Sequence, residues 1–374
     1  MFQQSSYTSH LTLFQKVRSF DFILLICVLV LGFISNLSMY STDGGEFLYH
    51  SKSHFIRFVI FFTMMIFLSF VNLKFWHTTA YLFYIVVLAF LIWASLYGVT
   101  ASGSQRWISL HFINLQPSEL MKIAIIICFA RYFHRTQISS VNSFKNIIIS
   151  ITILIMPVLL VVSQPDLGTA ILIGMSGIIV LWLAGLNIRY FVYSSLVLLI
   201  SLPFVISFLE PYQKLRILTF FDPGRDPLGA GYQIIQSKIA VGSGGLTGKG
   251  FLKGTQSYLD FLPEKHTDFI FTLFSEEQGF VGSVFLLIIY VVLIFRIIKI
   301  GSISRSFFGK LFCYGFGSSI FVYVAVNMSM VLGLLPIVGS PLPIMSYGGS
   351  SMLATMIGLS IVMSAKIHNK QIIN

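Results

Sequence analysis

The chain has 374 residues, of which 56% are hydrophobic and only 10% are charged. A soluble domain has about 25% charged residues, so this composition excludes an ordinary water-soluble protein and favours one that crosses a membrane several times. The net charge of +11 comes mostly from short loops between apolar stretches, without a basic patch interleaved with aromatic residues, and we therefore predict no nucleic-acid partner.

Apolar stretches long enough to cross about 30 Å of hydrocarbon predict the transmembrane helices. The first follows a polar, basic segment and lacks a small-residue cleavage site, so we expect an anchor and not a cleaved signal. The predicted fold class is an all-α integral membrane protein with one domain over 1–374. Its ten helices are expected near 21–40, 55–72, 77–98, 118–134, 146–163, 168–185, 189–209, 269–297, 308–334 and 346–366.

Lysine and arginine residues orient these helices, because they collect in cytoplasmic loops. Alternate loops contain nearly all the loop cations, whereas the short loops near 41–54, 164–167 and 336–345 hold only Lys52. Both termini are therefore predicted to be cytoplasmic. Three unusual segments then face outward: 99–117, the large loop 210–268 between helices 7 and 8, and 335–350. The three cysteines lie far apart in apolar spans, so neither a disulfide nor a metal site is expected from them.

Acidic residues concentrate around the large loop. Asp268 lies at the edge of the apolar run that begins at Phe269, and a half-buried carboxylate there is expected to have a raised pKa, which suits a general base. A solvated loop is enough to explain Asp222, Asp226 and Asp260. Eight of the 13 acidic residues belong to this region: Glu210, Asp222, Asp226, Asp260, Glu264, Asp268, Glu276 and Glu277.

Two further charged groups admit two interpretations each. Glu119 and Lys122 lie three apart on a predicted helix, where they can pair inside the bundle, either to fix helix packing or to serve function. Arg106, followed by Trp107, is either an anchor at the membrane surface or a bidentate phosphate ligand. The residues alone leave both questions open.

The glycine-rich stretch 242–250 fails the nucleotide-loop pattern at Ser243 and Gly250, although backbone amides facing an anion remain possible there. No metal-binding motif of His and Glu and no nucleophile elbow is present in the sequence. His266 precedes Asp268 by two residues and is either structural or an orienting partner.

Several long motifs resemble the SEDS family of shape, elongation, division and sporulation proteins, and within it the RodA branch. The resemblance covers nearly the whole chain. Its parts are GSQRWI at 103–108, QPSELMK at 116–122, QPDLGTA at 164–170, DPLGAGYQIIQSKIAVGSGGLTGKG at 226–250, GTQSYLDFLPEKHTDFIF at 254–271, EEQGFVG at 276–282 and GLLPIVGSPLPIMSYGGSS at 333–351.

The resemblance implies a membrane glycosyltransferase that polymerises lipid II at the outer face of the bacterial cytoplasmic membrane, for elongation and rod shape. The family's essential aspartate corresponds to Asp268, the arginine of its QRW motif to Arg106, and its intramembrane pair to Glu119 and Lys122. Expected partners are lipid II, the growing lipid-linked glycan, a class B penicillin-binding protein and other membrane proteins of the elongation complex. Candidate cations for the pyrophosphate are Arg106, with Lys249, Lys253, Lys265 and His266 behind it.

The sequence shows no dedicated metal-binding site and identifies no cofactor with certainty, although Mg²⁺ or Mn²⁺ could help to neutralise the charge of the pyrophosphate. The alternatives are a lipid II flippase, a non-catalytic scaffold for wall enzymes and a division-specific polymerase of the FtsW type. Transporters often contain inverted repeats with broken helices, and the sequence shows no such symmetry.

Overall fold

The computed structural model describes residues 12–101, 104–109, 114–208, 211–226, 229–255 and 264–373. Glu210 and Asp260 of the acidic group therefore lie outside the described residues. The helices in chain order are α1 (Leu13–Arg18), α2 (Phe22–Thr42), α3 (Tyr49–Ser69), α4 (Leu73–Tyr97), α5 (Pro117–Arg135), α6 (Phe144–Val162), α7 (Leu167–Leu183), α8 (Ile188–Phe208), α9 (Pro211–Phe221), α10 (Ala230–Ser243), α11 (Ile270–Ile303), α12 (Phe307–Val331) and α13 (Gly349–Ile367).

Seven helices in the described part of the chain are long and apolar enough to cross a membrane: α2, α3, α4, α6, α11, α12 and α13. Large apolar side chains such as Phe33 and Phe67 are more than half exposed on their outer faces. Since an apolar surface of this extent is not stable in water, the prediction of a multi-pass membrane protein is confirmed. Each of the ten predicted spans overlaps a helix, but α7 and α8 offer shorter apolar stretches and α5 contains four charged residues. The count of ten spans stays a prediction.

The protein core is built around α5, α12 and α13. Every residue of α5 from Pro117 to Ala130 is buried. In the 18-residue apolar stretches of α12 and α13, 72% and 78% of the residues are buried. Close packing depends on small residues, as is usual between membrane helices: a Cβ added to Gly315 of α12 would lie 2.5 Å from Val180 of α7. By contrast, α8 is mostly exposed. Functional groups on α5 are therefore held by protein on all sides.

A small antiparallel sheet precedes α5, with β1 (Val99–Ala101), β2 (Ser104–Ser109) and β3 (Asn114–Leu115) in that order. The all-α prediction describes the bundle correctly but misses this sheet. Two of its strands are too short to show the alternation of apolar and polar residues that identifies a strand in a sequence, and β2, with the sequence SQRWIS, does not alternate. The sheet matters because β2 contains Arg106.

The glycine-rich loop packs against a kink in α11. Gly279 has a φ of +65° inside this helix, and a Cβ there would lie 2.3 Å from the amide nitrogen of Gly248. The amides of Lys249 and Gly250 donate hydrogen bonds of 3.0 Å to the carbonyls of Glu276 and Glu277, in the helical turn just before the kink. The interpretation of this loop as an anion-binding turn is therefore wrong for these two amides, because the helix itself uses them.

Candidate active site

The three segments predicted to face outward meet at one end of the bundle. The amide of Gln116, just before α5, donates to the hydroxyl of Ser350 at the start of α13 (2.8 Å). The amide of Tyr347 donates to the carbonyl of His266 (2.8 Å). Motifs that are separated by more than 200 residues in the chain therefore share one surface.

Asp268 lies in the turn that starts at Glu264 and leads into α11. The side-chain amide of Asn327 on α12 holds this turn, since it donates to the carbonyls of Asp268 (2.9 Å) and Ser340 (2.7 Å). The carboxyl group of Asp268 faces the 336–345 loop: a Cβ added to Gly339 would lie 3.5 Å from Oδ2. Asp268 is half-buried, as the sequence predicted.

Burial raises the pKa of Asp268 from 3.8 to about 7. The nearby carboxyls of Glu264 and Asp166 also raise this pKa, while Arg106 and Arg216 lower it. A group with a pKa near the operating pH is well suited to general base catalysis, because it is ionised in a large fraction of molecules and still holds a proton firmly. The environment of Asp268 therefore fits the predicted role.

Arg106 is anchored by Asp166. Its Nη1 lies 2.9 Å from Asp166 Oδ2, and its side chain is 26% exposed. Asp166 caps α7: it accepts hydrogen bonds from the amide (3.1 Å) and the hydroxyl (2.9 Å) of Thr169, and from Nε2 of Gln116 (3.2 Å). The strand β2, the start of α5 and the start of α7 thus converge on one carboxylate, which aims Arg106.

Three residues of this site were not identified from the sequence: Asp166, Arg216 and Asn327. Asp166 had a usable signal, since an aspartate directly before an apolar run marks a helix N-cap. Asn327 is a polar residue inside an apolar helix, which is a sign of function or of a specific contact. Arg216 lies on α9 and donates to the carbonyl of Ile337 (3.3 Å), and the sequence contains no pattern that singles it out.

Glu119 and Lys122 pair as their spacing predicts. Lys122 Nζ lies 2.7 Å from Glu119 Oε1, and each side chain is 5% exposed. The ammonium also lies 4.0 Å from the ring centroid of Tyr323, a favourable cation–π contact. The pair borders a cavity of about 30 Å³ between α5, α12 and α13. These contacts fit a packing role well, and the functional role stays a prediction.

The other cations predicted for the pyrophosphate differ in their surroundings. Lys249 Nζ lies 2.6 Å from the buried carboxylate of Glu276 and 2.7 Å from the hydroxyl of Thr255. That carboxylate also accepts from the amide of Thr255 (2.8 Å), so Lys249 takes part in the contact between the glycine-rich loop and α11. Lys265 and His266 share the turn of Asp268, and the His266 ring stacks on His50. Phosphate binding by these residues stays a prediction.

A profile of the FtsW, RodA and SpoVE proteins, described as "Cell cycle protein", matches residues 17–371. The chain belongs to this family. It is 46% identical over 290 residues to the peptidoglycan glycosyltransferase MrdB of Escherichia coli K12, covering 77% of this chain and 78% of that protein. It is 32% identical over 365 residues to stage V sporulation protein E of Bacillus subtilis, covering 95% and 99%.

Two solved structures share this fold. One is described as "Structural coordination of polymerization and crosslinking by a peptidoglycan synthase complex"; it has a TM-score of 0.81 and 28% identity and covers 94% of this chain and 99% of that chain. The other is the rod shape-determining protein RodA of Thermus thermophilus, with a TM-score of 0.72, 24% identity and coverage of 94% and 98%. The predicted family and the membrane fold are confirmed.

Proposed function

We propose that this chain is a peptidoglycan glycosyltransferase that polymerises lipid II into glycan strands for cell elongation, at the outer face of the cytoplasmic membrane. The observation that carries this proposal is the half-buried Asp268, with a pKa of about 7 that the charge of Arg106 lowers, while Asp166 holds that arginine in place. The predicted enzyme class is confirmed by the name of the MrdB relative.

In this mechanism Asp268 accepts the proton of the C4 hydroxyl of the acceptor's N-acetylglucosamine. The oxygen attacks the anomeric carbon of the lipid-linked donor chain from the face opposite the leaving group, and the bond to pyrophosphate breaks. The configuration at the anomeric carbon is therefore inverted. The proton resides on Asp268 until product release, and the electron pair leaves with undecaprenyl pyrophosphate. A base with a pKa near 7 can complete this cycle without a strong acid or base in solution.

The departing pyrophosphate needs positive charge nearby. Arg106 is the first candidate, because Asp166 binds its guanidinium at the site while part of the side chain remains exposed. Arg216 is a second, since its charge lowers the pKa of Asp268 and it is therefore electrostatically close. Lys265 and His266 belong to the same turn as Asp268.

A divalent cation such as Mg²⁺ or Mn²⁺ would supply additional charge neutralisation at the pyrophosphate. Glu264 provides carboxylate oxygens, the ligands such ions prefer, whereas Asp268 stays free of the ion so that it can accept the proton. Asp166 is a poorer ligand, because Arg106, Gln116 and Thr169 already bind it.

We propose a class B penicillin-binding protein as the partner that crosslinks the new strands, together with other membrane proteins of the elongation complex. The structural neighbour named as a peptidoglycan synthase complex couples polymerisation to crosslinking, and its fold matches this chain over most of its length. That likeness supports a shared partner type.

The test is a polymerisation assay with lipid II, the detergent-purified protein and its cognate penicillin-binding protein, beside an Asp268→Asn variant. The variant keeps the shape of the side chain but cannot accept the proton, so we expect glycan polymer from the wild type and none from the variant. A variant that polymerises normally would remove Asp268 as the base. No polymer from the wild type would favour a lipid II flippase, which a translocation assay in vesicles would detect.

A further inference from the structure

Three metal-ligating side chains meet near the turn of Asp268. They are Asp43 at the end of α2, His50 in the first turn of α3, and His266. One ligand atom from each lies within 4.8 Å of the others. None of the three has a role in the proposed transfer of the sugar, apart from the prediction that His266 helps to hold pyrophosphate.

The carboxylate of Asp43 is buried and held in place. Its side chain is 3% exposed, and Oδ2 accepts a hydrogen bond from the amide of Ser51 (2.8 Å). The other oxygen, Oδ1, faces Nδ1 of His50 at 3.4 Å. That is longer than a charge-assisted hydrogen bond, which measures about 2.7–2.9 Å. The pair is therefore close without forming a short hydrogen bond.

This distance fits shared coordination of one ion. Metal–ligand bonds of about 2.0–2.1 Å at tetrahedral angles place neighbouring ligand atoms about 3.3 Å apart. Asp43 and His50 already have this separation. The ring of His266 stacks on that of His50 with centroids 4.1 Å apart and 16° between planes, so His266 would have to turn and approach by at most about 1.5 Å.

The side chains are of the kinds that zinc accepts. A metal ion binds an imidazole nitrogen in the plane of the ring, so the stacked rings share one ion only after His266 has turned; His50, His266 and the buried Asp43 then supply two imidazole nitrogens and one carboxylate oxygen. The ring of Tyr347 contacts His50 edge-on at 5.2 Å and packs against the guanidinium of Arg57, 4.9 Å from its centroid.

We propose that Asp43, His50 and His266 bind one divalent transition-metal ion, with Zn²⁺ as the best fit, and that this ion ties the loop between α2 and α3 to the turn of Asp268. Two imidazoles and one carboxylate suit Zn²⁺, whereas Mg²⁺ prefers oxygen ligands alone. The tie works through chain geometry: His266 precedes Asp268 by two residues, and its carbonyl accepts from Tyr347. The ion thus positions the turn and takes no part in the sugar transfer.

The test measures Zn²⁺ binding to metal-stripped protein, purified in detergent with a histidine-free affinity tag, by equilibrium dialysis and elemental analysis. We expect one equivalent that a large excess of Mg²⁺ does not displace. His50→Gln, His266→Gln and Asp43→Asn should each weaken the affinity at least about tenfold. His368→Gln, at the far end of α13, is the matched control and should bind as the wild type does. Zn²⁺ should also raise the melting temperature of the wild type but not of the double variant His50→Gln/His266→Gln.

Hydrogen exchange tests the tie itself, with a readout that does not depend on polymerase activity. Zn²⁺ should slow exchange of the amides at 264–269 in the wild type and leave them unchanged in the double variant. The proposal is overturned if the wild type binds no Zn²⁺ at about 10 µM, or if the double variant binds it with equal affinity. Binding without slower exchange would refute the tie. None of these outcomes depends on the glycosyltransferase assignment.

Discussion

The raised pKa of Asp268 predicts how the rate of polymerisation depends on pH. Only the ionised carboxylate can accept the hydroxyl proton, so the rate should follow its ionised fraction. With a pKa of about 7, that fraction is about one half at pH 7, about one tenth at pH 6 and about nine tenths at pH 8. The rate at pH 6 should therefore be about one tenth of the rate at pH 8.

A second variant separates Asp268 from other groups that titrate near neutrality. Glu264 is the charge that contributes most to the raised pKa of Asp268, after burial. Glu264→Gln removes that charge, so the pKa of Asp268 should fall and the acid limb of the profile should move to lower pH. At pH 6 this variant should be several-fold faster than the wild type. Arg216 acts in the opposite direction, so Arg216→Gln should move the limb to higher pH.

The assay is the initial rate of glycan polymer formation from lipid II between pH 5.5 and 8.5, with the cognate penicillin-binding protein present. Lipid II is kept well below its KM, where the rate reports the pKa of the free enzyme. Melting temperatures at each pH serve as the control for unfolding. A flat profile, or a limb whose midpoint lies near pH 4, would refute the argument that burial tunes this carboxylate. A limb that Glu264→Gln leaves in place would assign the titration to another group.

Two further predictions concern stability. Glu119→Ala leaves the buried Lys122 without its carboxylate and should lower the free energy of unfolding by about 3 kcal/mol or more, which a lower melting temperature in detergent would show. Adding Lys122→Met should restore most of that stability. Equal melting temperatures of the single and double variants would contradict the reasoning. Gly279→Ala should prevent stable folding, because φ is +65° and the new Cβ would lie 2.3 Å from Gly248. Its control, Gly242→Ala, meets nothing within 4 Å, and equal expression of both variants would argue against the packing account.

Much of this fold is visible in the sequence because a bilayer imposes simple rules. The length of the apolar stretches predicted a helix at each of ten places, and the structure contains a helix at every one of them. The position of Asp268 at the start of an apolar run was enough to predict partial burial and a raised pKa. The i, i+3 spacing of Glu119 and Lys122 was enough to predict their pairing.

The remaining features depend on contacts between distant parts of the chain. Asp166 belongs to the site because Gln116 and Arg106 reach it from segments about 50 and 60 residues away. The amides of Lys249 and Gly250 serve the kink of α11, and the local glycine pattern could not distinguish this use from anion binding. Single-sequence patterns report local conformation, and these pairings are set by how the helices pack.

Asp166 affects both the pKa of Asp268 and the position of Arg106, and one substitution tests the two effects separately. Asp166→Asn removes a charge that raises the pKa of Asp268, so the acid limb should move to lower pH. It also removes the ionic partner of Arg106, so the maximal rate at high pH should fall, by about tenfold if Arg106 stabilises the leaving group. A purely structural Asp166 would lower the yield or the melting temperature without moving the limb. If the acid limb moves to lower pH while the maximal rate stays the same, Arg106 acts on the pyrophosphate without needing Asp166 to hold it.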